Sequence, residues 1–151
     1  MKGIIIYKSV HHGNTLKVAE KMAEVLNAEI KEVEEANAEE IKNYDIIGFG
    51  SGIYFGRHHR RILKFVDELP SMYGKKAFIF STRGGTPTYL NHMALRRKLK
   101  SRGFIIVGEF SCRGYDTYSI FKYIGGLNKG KPDEKDLERA ADFARKIEHL
   151  K

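Results

Sequence analysis

Gly3-Ile4-Ile5-Ile6-Tyr7-Lys8-Ser9-Val10-His11-His12-Gly13-Asn14-Thr15 decides the architecture of this chain. Four consecutive apolar residues end in a polar turn with a glycine. Then Val18, Ala19, Met22, Ala23, Val25 and Leu26 recur at helical spacing between Asn14 and Asn27. Unbroken apolarity suits a strand buried on both faces, and a helix directly after it opens a parallel strand–helix–strand unit.

The same alternation continues along the chain. Residues 28–34 alternate like a strand near an edge, and Asp45 to Ser51 reads as a second buried strand. Ile62, Leu63, Phe65, Val66 and Leu69 form a helical stripe closed by Pro70. Lys76 to Ser81 is the next strand, a helix runs from about Thr88 to Lys100, and Phe104 to Phe110 is the fifth strand. A long loop rich in Gly, Tyr and Lys follows. The last helix begins at Pro132-Asp133-Glu134, a cap and acidic first turn, and carries Leu137, Ala140, Ala141, Ala144 and Ile147. The expectation is an α/β fold: one domain over residues 1–151, a doubly wound five-stranded parallel sheet between two helical layers. The loops at 9–15, 51–58, 81–88 and 111–118 then share the rim at the carboxyl ends of the strands, where such sheets bind ligands.

Composition narrows the function. A chain of 151 residues with 42% apolar residues can bury its own core. One cysteine, Cys112, excludes an internal disulfide framework and suits a reducing compartment. No apolar run reaches the ~20 residues that span a bilayer, and the expected location is the cytoplasm. Net charge is +8, divided as −1 over residues 1–70 and +9 over residues 71–151. A basic half can meet nucleic acid, an anionic membrane surface or an acidic protein. No nucleic-acid reader motif is visible, and the run Arg96 to Arg102 reads first as a solvated helix face. The paired histidines, His11-His12 and His58-His59, lack the spacing of metal ligands on a helix.

Three rim loops carry candidate chemistry. Ser9 to Thr15 turns from a strand into a helix, so its backbone N–H groups converge on the positive end of a helix dipole. Ser9, Asn14 and Thr15 add side-chain donors, and the loop holds no Lys or Arg. Neutral donors suit a held phosphate monoester. The Walker phosphate loop and the GxGxxG dinucleotide fingerprint are both absent. A helix simply capped by Asn14 or Ser9 would produce the same spacing. In the second loop, Tyr54 and Phe55 sit between Gly52 and Gly56, as rings that stack on a planar ligand or that cover a helix end. In the third, Thr82-Arg83-Gly84-Gly85 permits close backbone approach to a ligand.

In this order the residues resemble the flavodoxin family over essentially the whole chain, most specifically at Gly13-Asn14-Thr15. The resemblance implies strand order 2-1-3-4-5, FMN as cofactor at the switch point, and electron transfer as the function. The order is the flavodoxin example of that general rule and is borrowed here. It implies that Ser9, His11, His12, Gly13, Asn14 and Thr15 hold the phosphate. Gly52, Ile53, Tyr54, Phe55 and Gly56, with Thr82, Arg83, Gly84 and Gly85, would flank the flavin ring. Gly52 or Gly56 would supply the backbone group that turns towards flavin N5.

Three departures from the family stand out. His11 and His12 replace the usual hydroxyl residues, so FMN affinity is expected to fall as pH rises. The chain is basic where flavodoxins are acidic, which points to acidic redox partner proteins or a peripheral membrane contact. Tryptophan is absent. The segment Ser51 to Gly56, with His58-His59 and Lys64-Phe65-Val66, is also similar to the flavodoxin-like protoporphyrinogen oxidases. That similarity implies the alternative function, an FMN-dependent oxidoreductase acting on a porphyrinogen- or quinone-like substrate.

Overall fold

The apolar run that opens the chain becomes the second strand of a parallel sheet, flanked on both sides. The computed structural model describes residues 2–10, 13–83, 87–113 and 132–150, with the backbone alone at Arg83 and Arg113. The strands are β1 (Gly3–Lys8), β2 (Glu29–Glu32), β3 (Ile46–Tyr54), β4 (Arg57–His58), β5 (Lys76–Arg83) and β6 (Ile105–Arg113). The helices are α1 (Asn14–Leu26), α2 (Arg60–Asp67), α3 (Thr88–Asn91), α4 (Met93–Ser101) and α5 (Glu134–Glu148).

Five strands run parallel in the order β2-β1-β3-β5-β6, with Ile5 opposite Gly48 and Gly48 opposite Phe78. This is the expected doubly wound order, with one addition. The two-residue β4 pairs antiparallel with the end of β3, placing Ile53 opposite His58 and Tyr54 opposite Arg57.

Side-chain alternation explains why the central strands read as continuously apolar. Ile4 and Ile6 face one core cluster with Ile47, Phe49, Ile62, Val66 and Leu99. Ile5 faces the other, with Val18, Met22, Phe78, Phe80, Ala140 and Ala144. Helices α2 and α4 therefore cover one face, and α1 and α5 the other. Residue alternation on β3 puts Gly48 and Gly50 under Phe78 and Phe80. A Cβ on either glycine would stand 2.3 Å from a ring carbon, so these positions are glycine because the neighbouring strand's rings occupy the space.

Element ends follow local chemistry. Helix α5 starts on a reciprocal capping box: Asp133 Oδ1 accepts from the Asp136 N–H at 2.9 Å, and Asp136 Oδ2 accepts from the Asp133 N–H at 3.1 Å. Helix α1 ends at Asn27 in the left-handed region, φ 52°, which Asn tolerates. Several boundaries differ from expectation: β3, β5 and β6 run on to Tyr54, Arg83 and Arg113, past the expected ends at Ser51, Ser81 and Phe110. β2 stops at Glu32 and gives way to a 3-10 turn, Val33–Glu35. The helix expected over residues 88–100 is broken at His92 into α3 and α4.

Candidate functional site

The turn after β1 leads into α1 through a glycine. Gly13 is the cap of α1, at φ 63° and ψ 25°, a left-handed conformation that glycine adopts without penalty. It supplies no capping side chain, and the first turn of α1 contains no acidic residue. Ser9 Oγ accepts the Leu16 N–H at 3.4 Å, so this hydroxyl sits against the first turn. Thr15 is buried and its Oγ1 lies 3.0 Å from Thr82 Oγ1, which ties the first loop to the end of β5. Asn14 is also buried. Thus Ser9, Gly13, Asn14, Thr15 and Thr82 come together at one end of the sheet. His11, His12, Gly84 and Gly85 lie outside the described residues, and so does the side chain of Arg83.

The aromatic segment is a hairpin, where a longer loop was expected. Ser51 to Tyr54 belong to β3, and only Phe55 and Gly56 form the turn. Both have positive φ, 52° and 77°, the signature of the two-residue turn whose twist matches antiparallel strands. Glycine fits this at no cost, whereas a left-handed Phe costs ~1–2 kcal/mol. Phe55 is also fully exposed, so its ring covers nothing among the described residues. Tyr54 differs: its ring meets His59 edge-on at 5.2 Å, and its hydroxyl is the atom a Cβ on Gly52 would meet, at 3.2 Å. Tyr54 therefore packs against the residue that caps α2, while Phe55 projects outward. Ser51 Oγ accepts the His59 N–H at 2.9 Å and donates to the Gly52 carbonyl at 2.6 Å, fixing the base of the hairpin.

Beneath this rim lies a polar network that sequence reasoning missed. His92 is fully buried; its Nδ1–H donates to Glu109 at 2.9 Å, and its Nε2 lies 2.7 Å from Ser81 Oγ. Ser81 donates on to Ser111 at 2.9 Å. Glu109 accepts two bonds from Arg96, each 2.7 Å, and the guanidinium stacks on Tyr89 at 4.8 Å. Burial pushes the Glu109 carboxyl upward, but the bonds from Arg96 and His92 outweigh it and hold it below the usual carboxylate range. Ser–His–Glu contacts in this order resemble a nucleophile array. Ser81 is wholly buried, however, and reaches no substrate; the network positions β5, β6 and α4. It also explains the helix break, because His92 turns inward to reach Ser81 and Glu109. Arg96 is accordingly a paired, half-buried residue and not the solvated one expected from its run. Lys98 likewise pairs with Asp67 at 2.8 Å, and Arg102 donates to the Asp67 carbonyl at 2.7 Å.

His58 completes this interior. Its Nε2–H donates to the Phe80 carbonyl at 2.9 Å, since a carbonyl only accepts, and its ring lies 4.9 Å from that of His92. Its buried Nδ1 has no hydrogen-bond partner among the described residues. Burial and the neighbouring His92 push the His58 pKa down to about 3, against smaller opposite pulls from the Phe80 and Asn91 backbone and Glu109. The sequence signal was available, a histidine one residue before the N-cap of a helix, but its partners are distant in the chain. Cys112 is buried in the α1/α5 core cluster, in accord with a small packing residue. No group of three or more His, Cys, Asp or Glu that could hold a metal exists among the described residues. Nor is any described helix long and apolar enough to cross a membrane.

Comparison with known proteins agrees with this geometry. The family described as "Flavodoxin domain" matches residues 4–125. An uncharacterized protein of Methanocaldococcus jannaschii is 54% identical over 97% of this chain and 98% of its own length. An "NAD(P)H dehydrogenase (quinone)" of Archaeoglobus fulgidus is 30% identical over 79% of this chain and 65% of its own. "Flavodoxin 1" of Azotobacter vinelandii is 30% identical over 89% of this chain and 86% of its own. In structure, oxidised Flavodoxin 2 from Bacillus cereus superposes with a TM-score of 0.77 at 21% identity, over the full length of both chains. With its family match spanning most of the sequence and its strands wound in the expected order, the chain belongs to the flavodoxin family.

Proposed function

We propose that this chain binds FMN and carries electrons between redox proteins. The observation that carries the reading is the cluster at Ser9, Gly13 and Thr15: an acid-free helix end whose cap residue has no side chain, with hydroxyl groups beside it. The donor set fits a phosphate monoester, which backbone N–H groups at a helix N-terminus and neighbouring hydroxyls can hold. When bound, FMN supplies one- and two-electron chemistry that no side chain of this protein offers.

The chain's own residues do the rest. The first turn of α1, with Ser9 and Thr15, holds the phosphate. The Thr15–Thr82 contact keeps the β1 and β5 loops at a fixed separation. Phe55, exposed at the turn of the hairpin, provides an aromatic face for a planar ring and excludes water from it. Gly56, at positive φ and with open space around its Cα, lets the hairpin peptide turn towards such a ring. His11 and His12, adjacent in sequence to Gly13, would add charge to the phosphate site at low pH. The expected partners are acidic redox proteins, matched to the basic second half of the chain, and the expected setting is the cytoplasm.

A visible absorption spectrum recorded during stepwise anaerobic reduction with added FMN tests the reading. Flavin fluorescence unquenched by the protein would refute it. A second reading, an FMN-dependent oxidoreductase with a quinone-like substrate, is favoured by the relative named NAD(P)H dehydrogenase (quinone). Rapid turnover of a quinone with NADH or NADPH, in the absence of any partner protein, would select it. A half-reduced state that accumulates, with slow turnover, would select the carrier.

A further inference from the structure

Helix α2 carries an arrangement that works against its own stability. Arg60 and Arg61 open its first turn, which has no acidic residue, and Lys64 stands one turn further on. A helix N-terminus disfavours cations, and Arg60 and Lys64, one turn apart on one face, repel each other. Elsewhere on the surface, Lys8 is matched with Glu32 and Glu34, Lys31 with Glu40, and Lys98 with Asp67. Among the described residues, neither Arg60 nor Lys64 has a carboxylate within 4.0 Å, and Arg61 has Glu34 alone, at 3.8 Å. Positive charge is also felt nearby. Burial first and then Lys8 hold His59 below its ordinary value; Glu34 pulls the other way, by more than either Arg60 or Arg61 pushes.

The same three cations line a cavity of about 510 Å³ between α2 and the Val33–Glu35 turn, with Val33, Ala36 and Phe65 as its apolar wall and Glu34 and Glu68 beside them. Such a volume is that of a small-molecule site, and five of its eight lining residues are charged, which suits an ionic ligand. We propose that this cavity binds an organic phosphate of mononucleotide size, its phosphate on Arg60, Arg61 and Lys64 and its body on Val33 and Phe65. Guanidinium forks match phosphate oxygens two at a time, and a dianion relieves both the helix-end penalty and the mutual repulsion.

The cavity adjoins the FMN cradle without being part of it. Arg60 directly follows His59, whose N–H is bound to Ser51 at the end of β3, and Lys8, just before Ser9, reaches Glu34 in the cavity wall. A phosphorylated electron donor anchored here would sit beside the rim. That use rests on the redox reading above, whereas the site itself does not.

Calorimetric titration of the full chain with adenosine 2′,5′-bisphosphate tests the proposal, first alone and then with saturating FMN. The expected result is one-to-one binding that persists with FMN present and weakens with salt. It should fall about tenfold or more in Arg60→Glu/Lys64→Glu and less in Arg60→Gln/Lys64→Gln, since two charge-assisted contacts are lost. Circular dichroism confirms that both variants fold. Binding unchanged in the variants, competition by FMN, equal affinity for citrate, or no binding at millimolar concentration would each overturn it. Fluorescence titration of the wild type with FMN is read separately. Its failure would sink the FMN reading and leave the cavity result standing.

Discussion

Replacing His58 with glutamine should make folding stability markedly less sensitive to acid. In the folded chain, burial and the adjacent His92 ring push the His58 pKa from 6.5 to about 3. The unfolded chain therefore binds a proton at pH 5 that the folded chain refuses, and stability must fall as pH falls. The contribution is complete above the unfolded value and is lost progressively between about pH 6.5 and 3. With a slope of at most ~1.4 kcal/mol per pH unit, integration from pH 7.5 to 4.5 gives a loss of ~2.5 kcal/mol from this residue alone. Other groups also titrate in this window, Glu109 among them, because its lowered carboxyl is destabilising once protonated. They are common to both proteins and cancel in the difference. The amide introduced by His58→Gln keeps a donor for the Phe80 carbonyl and loses the titration. Urea unfolding at both pH values supplies the numbers. The wild type should lose ~2.5 kcal/mol more than His58→Gln on acidification. An equal loss in both would show that His58 is not buried as a neutral base, and its assigned place beneath the rim would fall.

The same geometry bears on three further positions. Gly50→Ala places a methyl group 2.3 Å from the Phe80 ring, deep between two layers; denaturant midpoints should report a loss of ~3 kcal/mol or more. Phe55→Asn relieves a left-handed bulky residue whose ring is fully exposed, so thermal unfolding should show a gain of ~0.5–1 kcal/mol. FMN binding should weaken in the same variant, and an unchanged flavin affinity would remove Phe55 from the site. Thr15→Ala deletes a hydroxyl from the cradle together with its contact to Thr82. Fluorescence titration should show FMN affinity lowered by ~1.5–3 kcal/mol, the value of a hydrogen bond to a charged group.

Much of this was open to a reader of the chain alone. The run Ile4 to Tyr7 and the strands from Asp45 and Lys76 are apolar without alternation, because helices cover both faces of the sheet. The capping pattern at Asp133 is local, so the start of α5 was visible within a few residues. Gly13-Asn14-Thr15 is local as well, and the start of α1 could be placed there from the order strand, turn, helix. The strand order came from resemblance, since no pairing is written into a single strand.

What only the tertiary structure decided has one physical cause: partners far apart in sequence. Ser81, His92 and Glu109 carry no spacing that announces a network, yet β5, the α3–α4 break and β6 bring their side chains to 2.7–2.9 Å. Arg96 looked solvated because its charge lies in a basic run, and its partner stands thirteen residues away on β6. Gly48 and Gly50 lie in a strand with no local reason to be glycine, and their reason is two phenylalanine rings from the next strand. The positive φ of Phe55 emerges only once Arg57 and His58 are seen to pair back onto β3. Periodicity and local hydrogen bonding thus determined the elements and the first loop. Burial, which depends on which elements meet, decided the protonation of His58, the pairing of the cations and the cavity beside α2.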